Sequence, residues 1–231
     1  REMSGDRSTP TFGPAPLRLE QELNIPDQTP RAVRPQGVPP EDVSRLFVDQ
    51  DGTLVAYDPE TGSFVWEQDL AFATQTAQYV NGRLVLAGRG RLVGVDPVGG
   101  ALDWQVPFRG DALALTVNRG LAAVALRDFS PDGEDRVRIL TINAESGQAL
   151  GETAYPIVGR SYDVRPAIVG NHVVYVDPGR EGVVALSVRE PAEPAWETSV
   201  GDGWLLRDVE PIGQRWVAIA SRRGEIYLLD A

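Results

Sequence analysis

The 231-residue chain has no cysteine, no lysine, one histidine and one methionine. Without cysteine there are no disulfides, no thiolate metal sites and no cysteine nucleophile. A single histidine, His172, excludes metal clusters built on two imidazoles, and any serine-type triad would have to use this one residue. No Gly-x-Ser-x-Gly elbow is present. No stretch approaches 18 consecutive apolar residues, so nothing reads as a membrane-spanning helix. Positive charge is also scarce. Lys plus Arg total 22, all arginine, against 33 acidic residues, giving a net charge of -11 and a pI near 4.6. Such a surface repels phosphate backbones, and nucleic acid is not an expected partner.

What the chain does have is turn chemistry. It carries 24 Gly and 18 Pro with 42% hydrophobic residues, a composition of many short strands. Its first residue is Arg1, which raises the expectation of a removed signal peptide or anchor, with a plain segment boundary as the other reading. Residues 1–16, with Thr9-Pro10 and Pro14, read as a flexible leader, and 17–231 as one domain.

A five-residue apolar run ending in a small polar residue recurs five times: Leu54 to Asp58, Leu92 to Asp96, Ile139 to Asn143, Val183 to Ser187 and Ile226 to Asp230. The end positions are 38, 47, 44 and 43 residues apart. A second apolar run precedes each: Leu46 to Val48, Leu84 to Leu86, Ala122 to Val124, Val173 to Tyr175 and Val217 to Ile219. Between the two lie Gly-containing turns such as Asp51-Gly52 and Arg223-Gly224, so each pair reads as a β-hairpin. A short strand precedes each hairpin. A further strand follows, marked by Trp66 and Trp104, each eight residues after its Asp, and by Trp196 in the fourth repeat. Four strands per repeat make a sheet too thin to bury both faces alone. Stacking such sheets around an axis solves that problem, giving an all-β, five-bladed β-propeller of four-stranded blades.

The fifth repeat lacks its outer strand. Leu17-Arg18-Leu19-Glu20-Gln21-Glu22-Leu23 aligns without gaps to Phe64-Val65-Trp66-Glu67-Gln68-Asp69-Leu70. The expectation is that this N-terminal strand docks on the last blade and closes the ring, removing an open edge. The rival reading is a slice of a propeller with six to eight blades.

The apolar-apolar-x-apolar-Asp, Thr-Gly, Trp pattern, clearest over Leu54 to Trp66 and Leu92 to Trp104, resembles the PQQ-like (quinoprotein-type) β-propeller repeat. The dehydrogenase branch of that family would imply quinone and calcium, but this chain lacks its adjacent cysteines and shows no metal-binding Asp/Asn/Glu cluster. The chain is more similar to the cofactor-free branch that includes the BamB-type outer-membrane barrel-assembly lipoproteins. That resemblance implies a scaffold binding another protein outside the cytoplasm.

Individual residues add little chemistry. His172 opens an apolar strand and reads as structural. Asp128 to Asp135, with Ser130, Asp132 and Gly133, begins like a calcium loop, but Ile139 stands where the bidentate Glu belongs, so a plain hairpin loop is expected. Trp66, Trp104 and Trp196 share a repeat position and are expected between blades. Trp204 and Trp216 break that position; core packing is expected, with a binding surface as the second reading. Arg222-Arg223 and the Arg189 to Pro194 run read as solvated turn and loop, and Glu134/Asp135 as no acid–base pair. The expected function is a non-catalytic, protein-binding scaffold in an envelope or secreted assembly, with no catalytic, cofactor or metal residues assigned. A carbohydrate-active or sugar-binding propeller is the alternative, and it requires two or three carboxylates gathered near the axis.

Overall fold

The computed structural model describes residues 30–41, 43–129, 135–156, 164–177, 182–190, 193–200, 206–221 and 223–231. Every regular element among them is a β-strand. The first sheet comprises β1 (Arg31–Val33), β2 (Leu46–Gln50), β3 (Thr53–Tyr57) and β4 (Phe64–Asp69). The second comprises β5 (Thr74–Val80), β6 (Arg83–Gly88), β7 (Arg91–Val95) and β8 (Leu102–Pro107). The third holds β9 (Asp111–Asn118), β10 (Leu121–Phe129), β11 (Asp135–Asn143) and β12 (Ala149–Pro156). The fourth holds β13 (Ala167–Val169), β14 (His172–Asp177), β15 (Gly182–Ser187) and β16 (Pro194–Ser199). The fifth has three described strands, β17 (Leu206–Ile212), β18 (Trp216–Ser221) and β19 (Ile226–Asp230). Each sheet is an antiparallel meander in chain order, and the five are the blades of a β-propeller.

The hairpins form where the turn residues allow them. Asn81 and Gly82, joining β5 to β6, both take positive φ (45° and 77°), the twist-matched two-residue turn. Along the middle strands successive side chains alternate between two apolar faces. Leu54 and Ala56 of β3 point forward to the second sheet, meeting Leu84, Leu86, Val93 and Val95 from its rear face. The same interlock repeats three times. Leu92 meets Val124 and Leu140, Ile139 meets Val173 and Val184, and Val183 and Ala185 meet Val217 and Ile219. Full burial of each such side chain contributes roughly 1.5–3 kcal/mol, which explains why sheets covered on both sides carry near-continuous apolar strands.

The tryptophans lock successive sheets. Trp66 is buried and its indole N–H donates to the Pro97 carbonyl of the second sheet; Trp104 donates likewise to Ala144 of the third. Trp196 packs against the fifth sheet, as the repeat position predicts. The segment 17–23 and its docking lie outside the described residues.

β10 and β11 form the expected hairpin, but its ladder runs further than the sequence suggests: the strands pair over nine positions, and Asp128 lies opposite Arg136 within the ladder rather than in the loop. Its carboxylate lies 3.4 Å from Arg138 Nε, so the guanidinium supplies the positive charge that a cation would have brought. Residues 130–134 lie outside the described residues.

Candidate functional site

Register places a group of exposed apolar side chains on the forward face of the fifth sheet. Ile226 occupies the repeat position of Leu54, Leu92, Ile139 and Val183, all fully buried, yet it is 77% exposed. Leu228 occupies the position of Ala56 and Ala185, also fully buried, and is 57% exposed. Opposite them on β18, Ala218 pairs with Leu228 and Ala220 with Ile226. Trp216 lies on the same face, with Arg215 stacked 4.9 Å from its ring centre and bound through its guanidinium to Asp230. The core packing expected for Trp216 is therefore overturned. Alternation along β18 turns Val217 and Ile219 onto the fourth sheet and sends Trp216 to the opposite, open side. Trp204 lies outside the described residues.

The inner strands enclose a second feature. β5, β9, β17 and the start of β13 line an axial cavity of 430 Å³ with Gln36, Gln75, Gln78, Thr76, Thr116, Arg165 and Glu210 among its walls. Gln36 joins it by bonding its backbone to Ala77 and Tyr79 along β5. The sugar-cleaving alternative needs two or three carboxylates here; among the described lining residues there is one, Glu210.

The remaining candidates are placed as structural elements. His172 is half-buried at the first position of β14, opposite Val169 and Ser187. Arg223 lies in the β18–β19 turn and Arg189 on an exposed turn after β15, while Arg222, Glu134 and residues 191–192 lie outside the described residues. The polar residue that ends each of the first three runs, Asp58, Asp96 and Asn143, works as a turn acceptor. Asp58 receives the backbone N–H groups of Glu60 and Thr61, and Asn143 those of Glu145 and Ser146. These bonds, that of Thr61 foremost, hold the Asp58 carboxyl below its ordinary range. No helix among the described residues is long and apolar enough to cross a membrane.

Five stacked antiparallel sheets, with Trp66, Trp104 and Trp196 reaching forward from the first, second and fourth, define a β-propeller repeat protein. Its family follows from a match over most of the chain: residues 27–231 fit the family described as outer membrane protein assembly factor BamB, and the chain belongs to it. No curated protein matches the chain. Among solved structures it is similar to Saccharomyces cerevisiae Sqt1, at 13% identity and a TM-score of 0.59, covering 88% of this chain and 59% of that one. The WD40 domain of Toxoplasma gondii coronin aligns at 12% identity and a TM-score of 0.58, covering 80% and 52%. The Neurospora crassa Pan2 WD40 domain aligns at 10% identity and a TM-score of 0.55, covering 82% and 60%. The chain thus spans between half and two thirds of these structures' lengths. At such identities the likeness concerns the fold.

Proposed function

We propose that this chain is a non-catalytic scaffold that binds another protein in a cell-envelope assembly outside the cytoplasm. The observation that carries this reading is the forward face of the fifth sheet. Ile226, Leu228, Ala218 and Ala220 hold the register that every other sheet uses to receive a neighbouring sheet, and among the described residues no sheet packs on it. A contiguous apolar surface on a rigid frame is where association gains most from burial. The family's description, assembly of outer membrane proteins, supports the same role and address.

The test is site-specific photo-crosslinking in native cells. A photoreactive residue at position 228 is expected to give one discrete higher-mass adduct containing an envelope protein. The same residue at position 67, exposed on β4, is expected to give none. Equal labelling at both positions, or none at either, would overturn the reading.

A further inference from the structure

The junction between the second and third sheets is closed by a polar clasp. Asn81, in the β5–β6 turn, donates its side-chain amide to Glu145 Oε1 at 2.8 Å, and Arg83 Nη1 donates to the Glu145 carbonyl at 2.8 Å. Glu145 sits two residues past Asn143, in the turn after β11.

The next junction uses the same two positions differently. The β9–β10 turn repeats the β5–β6 turn, with φ of 47° at Arg119 and 77° at Gly120 against 45° and 77° at Asn81 and Gly82. Arg119 therefore stands where Asn81 stands. Arg189, two residues past Ser187, stands where Glu145 stands. Donor and acceptor have become two cations. Arginine at a positive-φ turn position is also less favourable than asparagine, so the backbone gives no reason for the exchange.

Both arginines line one cavity of 890 Å³, together with Leu121, Leu150, Asn143 and Asn171. Neither guanidinium has a hydrogen-bond or ion-pair partner among the described residues, and both are exposed. Two unpaired, like charges at the rim of a partly apolar groove, in a chain of net charge -11, form a local reversal of field. Guanidinium forks match carboxylates in a planar, bidentate manner, while Leu121 and Leu150 offer apolar contact between them.

We infer that this groove docks an acidic segment of a protein partner, with an Asp or Glu carboxylate held between Arg119 and Arg189 and a neighbouring aliphatic side chain on Leu121 and Leu150. The inference rests on the scaffold reading but concerns a different surface from the fifth sheet, so the two can fail separately.

The test is selection from a display library of random seven-residue peptides at low salt. It is run against the full wild-type chain and against R119N/R189E, which transplants the Asn81–Glu145 clasp. Because that clasp already exists one sheet earlier, the variant is expected to keep its thermal midpoint. The wild type is expected to enrich peptides bearing Asp or Glu beside Leu, Ile or Val. Their binding should weaken at least tenfold in the variant and fall as salt rises. Enrichment without acidic residues, or peptides that bind both proteins equally, would overturn the groove assignment and leave the fifth-sheet result standing. Competition by inorganic phosphate as strong as by the selected peptides would also overturn it, since the site would then hold any small anion.

Discussion

The indole N–H of Trp66 donates to the backbone carbonyl of Pro97 across 3.1 Å, anchoring the outer strand of one sheet on the turn of the next. The same reach is made by Trp104 to Ala144. Each ring lies over a turn glycine. A Cβ added at Gly100 would come within 2.6 Å of Trp66, and one at Gly147 within 2.8 Å of Trp104, both at positive φ.

Gly147→Ala is therefore expected to destabilise the protein by about 2–3 kcal/mol, combining overpacking with a strained backbone. Trp104→Phe should lose about 1–2 kcal/mol, mainly through the stranded Ala144 carbonyl and lost ring area. Urea unfolding of both single variants and the double variant should show coupling, because the smaller ring leaves room for the added methyl. Additive losses would mean that the ring and the glycine do not meet.

Asp49 is a buried carboxylate that accepts the backbone N–H of Gly52 at 2.9 Å and that of Thr74 from the second sheet. Asp49→Ala strands two buried donors and should cost about 2–4 kcal/mol. Asp49→Asn keeps one oxygen acceptor and should cost less. Chemical denaturation of the two variants ranks them, and equal losses would remove the hydrogen-bonding explanation.

Asp58 links turn geometry to acid sensitivity. Its carboxyl is held below the ordinary value by the Thr61 amide. A lowered folded-state pKa contributes stability that is present above the unfolded value, about 3.9, and is lost as pH falls through the folded value. The thermal midpoint of Asp58→Asn should therefore lie below that of the wild type at pH 6, with the gap narrowing below about pH 4. Parallel profiles across this window would show that the charge contributes nothing.

The proposed docking of residues 17–23 on β19 has a residue-level test. In the first sheet Leu54 lies opposite Gln68, and the sequence match maps that pair onto Ile226 and Gln21. Because the chain has no cysteine, Q21C/I226C forms a disulfide only if these two positions meet. An intramolecular bond, seen as a faster monomer on a non-reducing gel, is expected. Free thiols or a linked dimer would reject docking within one chain.

Much of the fold was legible because its signals are local and repeated. The five apolar runs ending at 58, 96, 143, 187 and 230 became β3, β7, β11, β15 and β19, and the turn glycines set their hairpins. The shared position of Trp66 and Trp104 correctly placed them between sheets. What escaped depended on register between distant segments. Trp216 reads as a core residue until the pairing of β18 shows which face it occupies. Asp128 resembles a cation ligand until Arg138 arrives from the facing strand. The Arg119/Arg189 pair had a usable signal, comparison of each repeat with Asn81 and Glu145, but it needed to be known that the β5–β6 turn touches the turn after β11 of the following sheet. The axial cavity draws on Gln36, Gln78, Arg165 and Glu210, whose spacing in the chain follows no motif.

The tryptophan reach has a mechanical corollary. Because the indoles of Trp66, Trp104 and Trp196 each reach the unit ahead, the array has a polarity like a row of hooked railway carriages. Loosening one coupling frees everything downstream of it while leaving the upstream units paired. Damage should therefore spread toward the carboxyl end, and force applied between neighbouring sheets should release them one at a time.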